Sequence, residues 1–328
     1  MIGAARNAEV QGEVCAPGFN LGYTLGSGQV FRWGRDADGW WKGIAYNTVF
    51  HLRQDGDSLH YLASSTRVPT YLGPMPVSAF LEWYLRLKAS PRIRVSRDDT
   101  RLRAARQKLR GFRFVRQEPF ECIISYVLSV QAHMNLTKQR INFIAKSFGH
   151  PISFRNEAYW TFPQPHILAS QAGIFFRRQR FGWRSERVPL SAQHVSVILK
   201  KIECPTLDQW RSIGDELKGV PGTGVGLKVG KCIDLFSMDR LNAVPVDTWV
   251  LKLAKEWYGV KGSDAKVCAW AENRGGSQAG YMNEYLFIYY RELNAPTLHD
   301  QVISFCASDI PSPELPFERV GAQDQNQI

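Results

Sequence analysis

The chain has 328 residues, 44% of them apolar and 12% aromatic, which is ample for the buried core of one large or two ordinary domains. Its 41 Lys and Arg against 30 Asp and Glu give a formal charge of +11, which attracts polyanions without saying which one. No run approaches the about 18 apolar residues of a membrane span, and "MIGAARNAEVQGEVCAPG" at the N-terminus lacks the apolar core of a secretory signal. Six cysteines, Cys15, Cys122, Cys204, Cys232, Cys268 and Cys306, show no C-x-x-C spacing, so neither a structural zinc site nor a cysteine-ligated iron–sulfur cluster is indicated. Reduced thiols, no metal or organic cofactor, and a soluble intracellular protein are expected.

From about residue 20 to 65 the pattern has period two, with "QVFRW", "WWKGIAY", "TVFHLRQ" and "LHYLAS" separated by the turn segments "DADG" and "DGDS". This predicts an antiparallel meander. "PVSAFLEWYLRL" (76–87) then turns helical, and "RLRAARQKLRGFRFVR" (101–116) interleaves basic residues with aromatics. A second such stretch is "FFRRQRFGWRSER" (175–187). Both suit a surface that holds phosphates and stacks bases; both also suit solvated helix faces. Pro119 fits a first helical turn, followed by Phe120, Ile123, Ile124, Val127 and Leu128 at helical spacing.

"TLDQWRSIGDELKGV" predicts a helix with Thr206 as its cap and Trp210, Ile213 and Leu217 on one side. It leads into "GVPGTGVGLKVGKC" (219–232), which carries five glycines. A phosphate loop of the Walker type would need Gly at Val225 and a hydroxyl at Cys232, and a dinucleotide fingerprint would need Gly at Val229 after a strand; neither fits. What remains is helix, tight hairpin, helix, with the hairpin N–H groups and the positive end of the second helix aimed at a phosphate. Beyond the hairpin Val229, Cys232, Ile233 and Phe236 share a face that packs inward. Asp247 stands just before the next helix, "SQAGYMNEYLFIYYREL" predicts the last one, and the polar tail "PSPELPFERVGAQDQNQI" has the composition of a disordered segment. No internal repeat is visible.

Lys228 opens a helix, where the dipole and the neighbouring Lys231 both disfavour an ammonium charge, so it is a candidate nucleophile as well as a candidate phosphate contact. Asp247, nineteen positions on, is a helix cap or a carboxylate serving chemistry. A lysine and a carboxylate at the mouth of a phosphate-binding hairpin suggest attack at a sugar.

The run "PGTGVGLKVGKCIDLFSMDRLNAVPVDTW" resembles the helix–hairpin–helix, Gly/Pro-rich and aspartate motif of base-excision DNA glycosylases, in the 8-oxoguanine DNA glycosylase/AP lyase branch. "GSGQVFRWGRDADGWWKGI", "EPFECIISYVLSVQ", "FGWRSERV" and "GSQAGYMNEYLFIYYR" are similar to other segments of that family, in the family's order, over residues 20 to about 293. The resemblance implies an α+β fold: an N-terminal antiparallel β-sheet domain with a flanking helix (1–95) packed on a mostly α-helical core (96–307). That core would hold the helix–hairpin–helix at about 206–240 and be followed by a tail (308–328). It further implies that Lys228 attacks C1′ of a flipped nucleotide and forms a Schiff base that permits strand cleavage by β-elimination, while Asp247 stabilises charge on the sugar.

Gly28 matches the residue whose carbonyl meets the N7 hydrogen that 8-oxoguanine has and guanine lacks. Cys232 and Phe287 match the pair that sandwiches the flipped base, and Asn283 stands where the family places Gln on the Watson–Crick edge. Trp183 and Arg184 match a wedge and an Arg facing the orphaned base; Gln131, Gly222, Gly224, Gly226 and Trp249 fall on segments that touch the DNA. The implied partner is duplex DNA containing 8-oxoguanine, with the protein acting as a monomer.

Three departures stand out. Gln131 and Ala132 occupy a turn that is Asn-rich in eukaryotic members, and Leu136 stands where an Arg reads cytosine, which predicts relaxed opposite-base preference. Trp249 replaces a phosphate-contacting His, and Lys231 replaces an acidic neighbour. Alternative readings are a glycosylase for other oxidised or alkylated bases, which would need a different pocket, and a catalytically silent DNA-damage binder, against which the pairing of Lys228 with Asp247 argues. A basic RNA-binding module would need an aromatic strand motif that is absent.

Overall fold

The computed structural model describes residues 9–202 and 204–295; Cys306 and the tail assigned to 308–328 lie outside the described residues. A five-stranded antiparallel sheet, in the order β1-β5-β4-β3-β2, is built from β1 (Val10–Cys15), β2 (Trp33–Arg35), β3 (Trp41–Ala45), β4 (Thr48–Asp55) and β5 (Ser58–Ala63). Strands β2 to β5 form the expected meander. Its β3–β4 connection is the two-residue turn Tyr46-Asn47, with φ of 48° and 59°, the left-handed pair that matches strand twist.

Two elements differ from the expected pattern. β1 adds an edge strand upstream, pairing Val10 with Ala63 through Cys15 with Ser58, although only Val14 in it is buried. Residues Leu21–Gly26 form a short helix, α1, whose cap Asn20 accepts from the Tyr23 N–H at 2.8 Å. A six-residue helix with one polar cap leaves too little periodicity to register in sequence.

The ribbon β6 (Arg67–Val68) and β7 (Met75–Pro76) leads into α2 (Val77–Tyr84), which covers one face of the sheet. Phe80 stacks on Phe50 at 5.4 Å, and Trp33 donates to the Tyr84 hydroxyl at 3.1 Å. The helical part follows with α3 (Thr100–Lys108), α4 (Pro119–Ser129) and α5 (Met134–Phe148). Pro119 is in the first turn of α4, as expected, and that helix is buried along most of its length. The hairpin β8 (Pro151–Phe154) and β9 (Glu157–Trp160) then covers the second face of the sheet with Phe154 and Tyr159 against Ile44 and Val49. A polar clasp joins the two: His51 contacts the Tyr159 hydroxyl at 3.0 Å, that hydroxyl donates to Glu157 at 2.6 Å, and Lys42 reaches Glu157 at 2.5 Å.

Helices α6 (Pro165–Ala169), α7 (Gly173–Arg178) and α8 (Arg187–Leu199) flank a 3-10 turn at Gly182–Arg184. The chain finishes with α9 (Leu207–Gly219), α10 (Leu227–Ser237), α11 (Thr248–Tyr258), α12 (Asp264–Gly275) and α13 (Ala279–Asn294). Thr206 and Gln209 form a reciprocal capping box at the start of α9. The fold is α+β, with α10 packed on α4 and α9, and α13 packed on α3, α11 and α12. Arg32 crosses from the sheet to Glu121 of α4 at 3.2 Å.

The basic stretches are part solvated and part structural. Arg113 is buried and donates to the Phe112 carbonyl at 2.9 Å, and Arg116 pairs with Asp239 at 2.9 Å. In the second stretch Phe176, Phe181 and Arg184 are buried, while Arg177 pairs with Glu186 at 2.9 Å. The exposed members, Arg101, Arg103, Arg106, Lys108 and Arg110 in the first stretch and Arg177, Arg178 and Arg180 in the second, make solvated faces. Arg113, Arg116 and Arg184 spend their heads on carbonyls and carboxylates of the fold, their long stems packing where those acceptors lie.

Candidate active site

The hairpin between α9 and α10 is held by Thr223, whose hydroxyl donates to the Val220 carbonyl at 2.9 Å and accepts from the Val225 N–H at 3.3 Å. Gly222 and Gly224 adopt φ of +85° and +79°, where a side chain would be strained. A Cβ on Gly224 would also stand 2.7 Å from Arg187 Cδ. Gly226 caps α10, and the Gly230 N–H donates back to its carbonyl at 2.8 Å. Underneath, Asp234 is buried between Lys218 and Arg240, each at 2.8 Å, which locks α9 to α10. These are the N–H groups of a helix start, presented by backbone that only glycine adopts freely.

As expected, Val229, Cys232, Ile233 and Phe236 of α10 are buried. Lys228 is half-buried, and among the described residues it has no ion-pair partner. Lys231 pairs with Glu272 of α12 at 2.6 Å. Asp247 caps α11, its Oδ1 accepting from both the Trp249 and Val250 N–H groups at 2.9 Å. The second carboxylate oxygen is left for other use.

Both side chains border a cavity of about 450 Å³, together with Gly28, Cys232, Asn283 and Phe287. That volume suits a nucleobase-sized ligand. Tyr126 and Phe236, stacked at 5.3 Å, lie along its wall. Burial pushes the Cys232 thiol up to about 12, against the pull of Lys228, so it presents a neutral sulfur surface. A larger recess of about 770 Å³ by the start of α4 contains none of the candidate site residues.

The loop bearing Gly28 has φ of +96° at that residue and is fixed by Gln29, which sequence reasoning left without a role. The Gln29 side chain donates to the Thr24 and Arg113 carbonyls at 2.8 and 2.9 Å and accepts from the Val115 N–H at 2.8 Å. Its own carbonyl accepts from Gln117 at 2.6 Å and the Tyr126 hydroxyl at 3.1 Å. With every polar group of Gln29 engaged, the neighbouring Gly28 is held at the cavity edge.

Two further side chains were missed. Glu284 is buried in the cavity wall, and burial pushes its carboxyl up to about 8, Asp247 adding to the rise and Arg291 opposing it. Arg291 has its guanidinium 5.1 Å from the Phe287 ring and a buried Nε without a hydrogen-bond partner. Residues 283, 284, 287 and 291 form one helical stripe; the apolar periodicity of α13 masked its two charged members.

The remaining candidates surround this cavity unevenly. Trp249 borders it and meets Tyr290 edge-on at 6.1 Å. Trp183 is exposed at 44%, with the Arg184 and Arg187 guanidinia each 4.1 Å from its ring. Arg184 itself is buried and donates to the Val130 carbonyl, so it links the Trp183 turn to the turn before α5. In that turn Gln131 has φ of 48° and is exposed, as is Leu136 in the first turns of α5. Among the described residues no group of three or more His, Cys, Asp or Glu is placed to hold a metal, and no helix is long and apolar enough to cross a membrane. The five described cysteines are free.

An N-terminal sheet clasped to a helical body, with a glycine hairpin and a lysine-lined cavity beside it, defines a protein of the helix–hairpin–helix class. The profile of the 8-oxoguanine DNA glycosylase N-terminal domain matches residues 14–123. An N-glycosylase/DNA lyase from Arabidopsis thaliana is 26% identical over 82% of this chain and 76% of its own length. A probable N-glycosylase/DNA lyase from Methanothermobacter thermautotrophicus is 27% identical over 59% of this chain and 68% of its own. The Clostridium acetobutylicum 8-oxoguanine glycosylase/lyase, solved with double-stranded DNA containing cytosine opposite 8-oxoguanine, superposes with a TM-score of 0.71; it is 27% identical, over 84% of this chain and 93% of that one. Residues 14–123 thus match that N-terminal domain, and the chain over most of its length is similar to enzymes of the 8-oxoguanine DNA glycosylase superfamily.

Proposed function

We propose that this protein is a bifunctional DNA glycosylase/AP lyase that removes 8-oxoguanine from duplex DNA. The observation that carries this reading is the placing of Lys228 and Asp247 on the wall of one base-sized cavity, at the mouth of a glycine hairpin. Hairpin amides and the start of α10 hold the backbone, while the target nucleotide is extruded at a cost of a few kcal/mol. The Lys228 amine attacks C1′; the C1′–N9 bond breaks, and its electron pair leaves with the base, which takes up a proton. The amine gives up a proton as it adds, the C1′–O4′ bond then opens with O4′ taking up a proton, and the iminium so formed acidifies the C2′ proton, whose loss expels the 3′ phosphate by β-elimination. Asp247, anchored by one oxygen to the start of α11, keeps a carboxylate against the positive charge that develops on the sugar.

In this reading Cys232 and Phe287 stack on the two faces of the base, Asn283 meets its Watson–Crick edge, and the Gly28 carbonyl accepts the N7 hydrogen. Trp183 fills the vacated space in the duplex, with Arg184, Gln131 and Trp249 at the DNA surface. With Leu136 in place of a cationic reader, the opposite-base preference is relaxed and lesions opposite several bases are cleaved. The division into a β-domain to residue 95 and a helical core beyond it is part of the same reading.

The test is borohydride trapping of wild type and Lys228→Gln on a duplex with one 8-oxoguanine opposite cytosine, and on the undamaged duplex. An adduct that requires both lesion and Lys228 is expected. Base release without an adduct would remove the Schiff base; neither release nor adduct would leave a damage binder or another lesion. Repeating wild type opposite each base tests the relaxed preference, which a strong bias for cytosine overturns.

A further inference from the structure

Arg291 lies two helical turns beyond Asn283 on α13, with Phe287 between them, so the three side chains span about 12 Å of cavity wall. Its Nη1 stands 3.9 Å from the point where a Cβ on Gly28 would sit. The guanidinium therefore shares the Gly28 end of the cavity, opposite Asn283. Among the described residues it has no ion-pair partner, and its buried Nε has no acceptor. A planar cation with free donors in the wall of a base pocket is poised for an acceptor on the ligand.

We infer that Arg291 is a specificity-determining residue that donates to the carbonyl oxygen at C8 of the flipped lesion. The inference rests on the lesion reading proposed above. With Asn283 at the Watson–Crick edge, the far end of the purine is its five-membered ring, which carries C8 and N7. 8-Oxoguanine differs from guanine there twice, by an added N7 hydrogen and an added C8 oxygen. Gly28 supplies an acceptor for the first difference, and Arg291, adjacent to it, supplies a donor for the second. Guanine would present a C8 hydrogen to the cation and an N7 lone pair to the carbonyl, leaving both protein groups unpaired. Phe287 under the guanidinium keeps it over the ring plane, and Glu284, one turn back from Phe287, faces the same cation.

The test compares wild type, Arg291→Met and Arg291→Lys in single-turnover release of 8-oxoguanine and in strand cleavage at a preformed abasic site. Abasic cleavage needs Lys228 and the hairpin but no base contact. Release by the Met variant is expected to fall tenfold or more, while abasic cleavage stays within twofold. The Lys variant, which keeps one donor and the charge, is expected to recover at least a third of the wild-type release rate. Unchanged release by the Met variant, a parallel fall in both reactions, or a Lys variant no better than Met would each overturn the assignment. A wild type that cleaves the abasic site without releasing 8-oxoguanine would instead remove the lesion reading itself.

Discussion

Asp247 carries two tasks that separate at the level of single atoms. Its Oδ1 satisfies two N–H groups at the start of α11, and its charge borders the cavity that holds Lys228. Asn is as good a helix cap as Asp but carries no charge. Asp247→Asn is therefore expected to lose only a few tenths of a kcal/mol in unfolding free energy, while base release falls roughly 10²- to 10³-fold. Asp247→Ala removes the cap as well and is expected to cost about 1 kcal/mol. Denaturant unfolding beside single-turnover excision checks both; full activity in the Asn variant would make Asp247 a cap and nothing more.

At the scale of elements, the hairpin is the part least able to change. Gly224 combines φ of +79° with an Arg187 side chain where a Cβ would go. Gly224→Ala is expected to destabilise by about 1–3 kcal/mol and to weaken duplex binding severalfold, because Arg187 must leave its place against Trp183. Thermal unfolding and fluorescence anisotropy on a short duplex read the two effects. This hairpin was legible in the sequence, since glycine spacing, the Thr206 cap and the Asp247 cap are local signals. So were α2, α4, α9, α10, α11 and α13, where apolar residues recur at helical period. β1 was not legible, because an edge strand with one buried residue is defined by its partner β5 and not by its own pattern. Nor were the roles of Gln29, Glu284 and Arg291: each acquires its meaning from groups far away in sequence. The basic stretches were legible as solvated faces where their residues are exposed, but only the fold shows that Arg113, Arg116 and Arg184 spend their donors inside the protein.

Over the whole molecule, buried acids and a buried histidine set how stability varies with pH. Burial pushes Glu284 up to about 8 and Glu118 up to about 7, from 4.5, and pushes His51 down to about 4, from 6.5. Between pH 4.5 and 7 or 8 the folded state holds protons on the two acids that the unfolded chain has released, so their contribution falls as pH rises. Between pH 4 and 6.5 the unfolded chain instead holds a proton on His51 that the folded state has released, which raises stability with pH and offsets part of that fall. Above 6.5 the offset ends. Stability is therefore expected to decline from pH 6.5 to 8; above 8 Lys138, whose ammonium burial pushes down to about 8, is neutral in the fold while still protonated in the unfolded chain, which turns the slope upward. The decline amounts to as much as about 2–3 kcal/mol, because each proton held only by the folded state costs ~1.4 kcal/mol for every pH increment of one. Thermal unfolding of the DNA-free protein across pH 6 to 9 measures it. Glu284→Gln, which cannot ionise, should flatten most of the decline, and an unchanged slope in that variant would show that the carboxyl is solvated. The same ionisation bears on recognition: above pH 8 a Glu284 carboxylate faces the Arg291 guanidinium and competes with the lesion for it. Preference for 8-oxoguanine over guanine should then weaken in the wild type over the pH range in which stability falls, and should hold constant in Glu284→Gln.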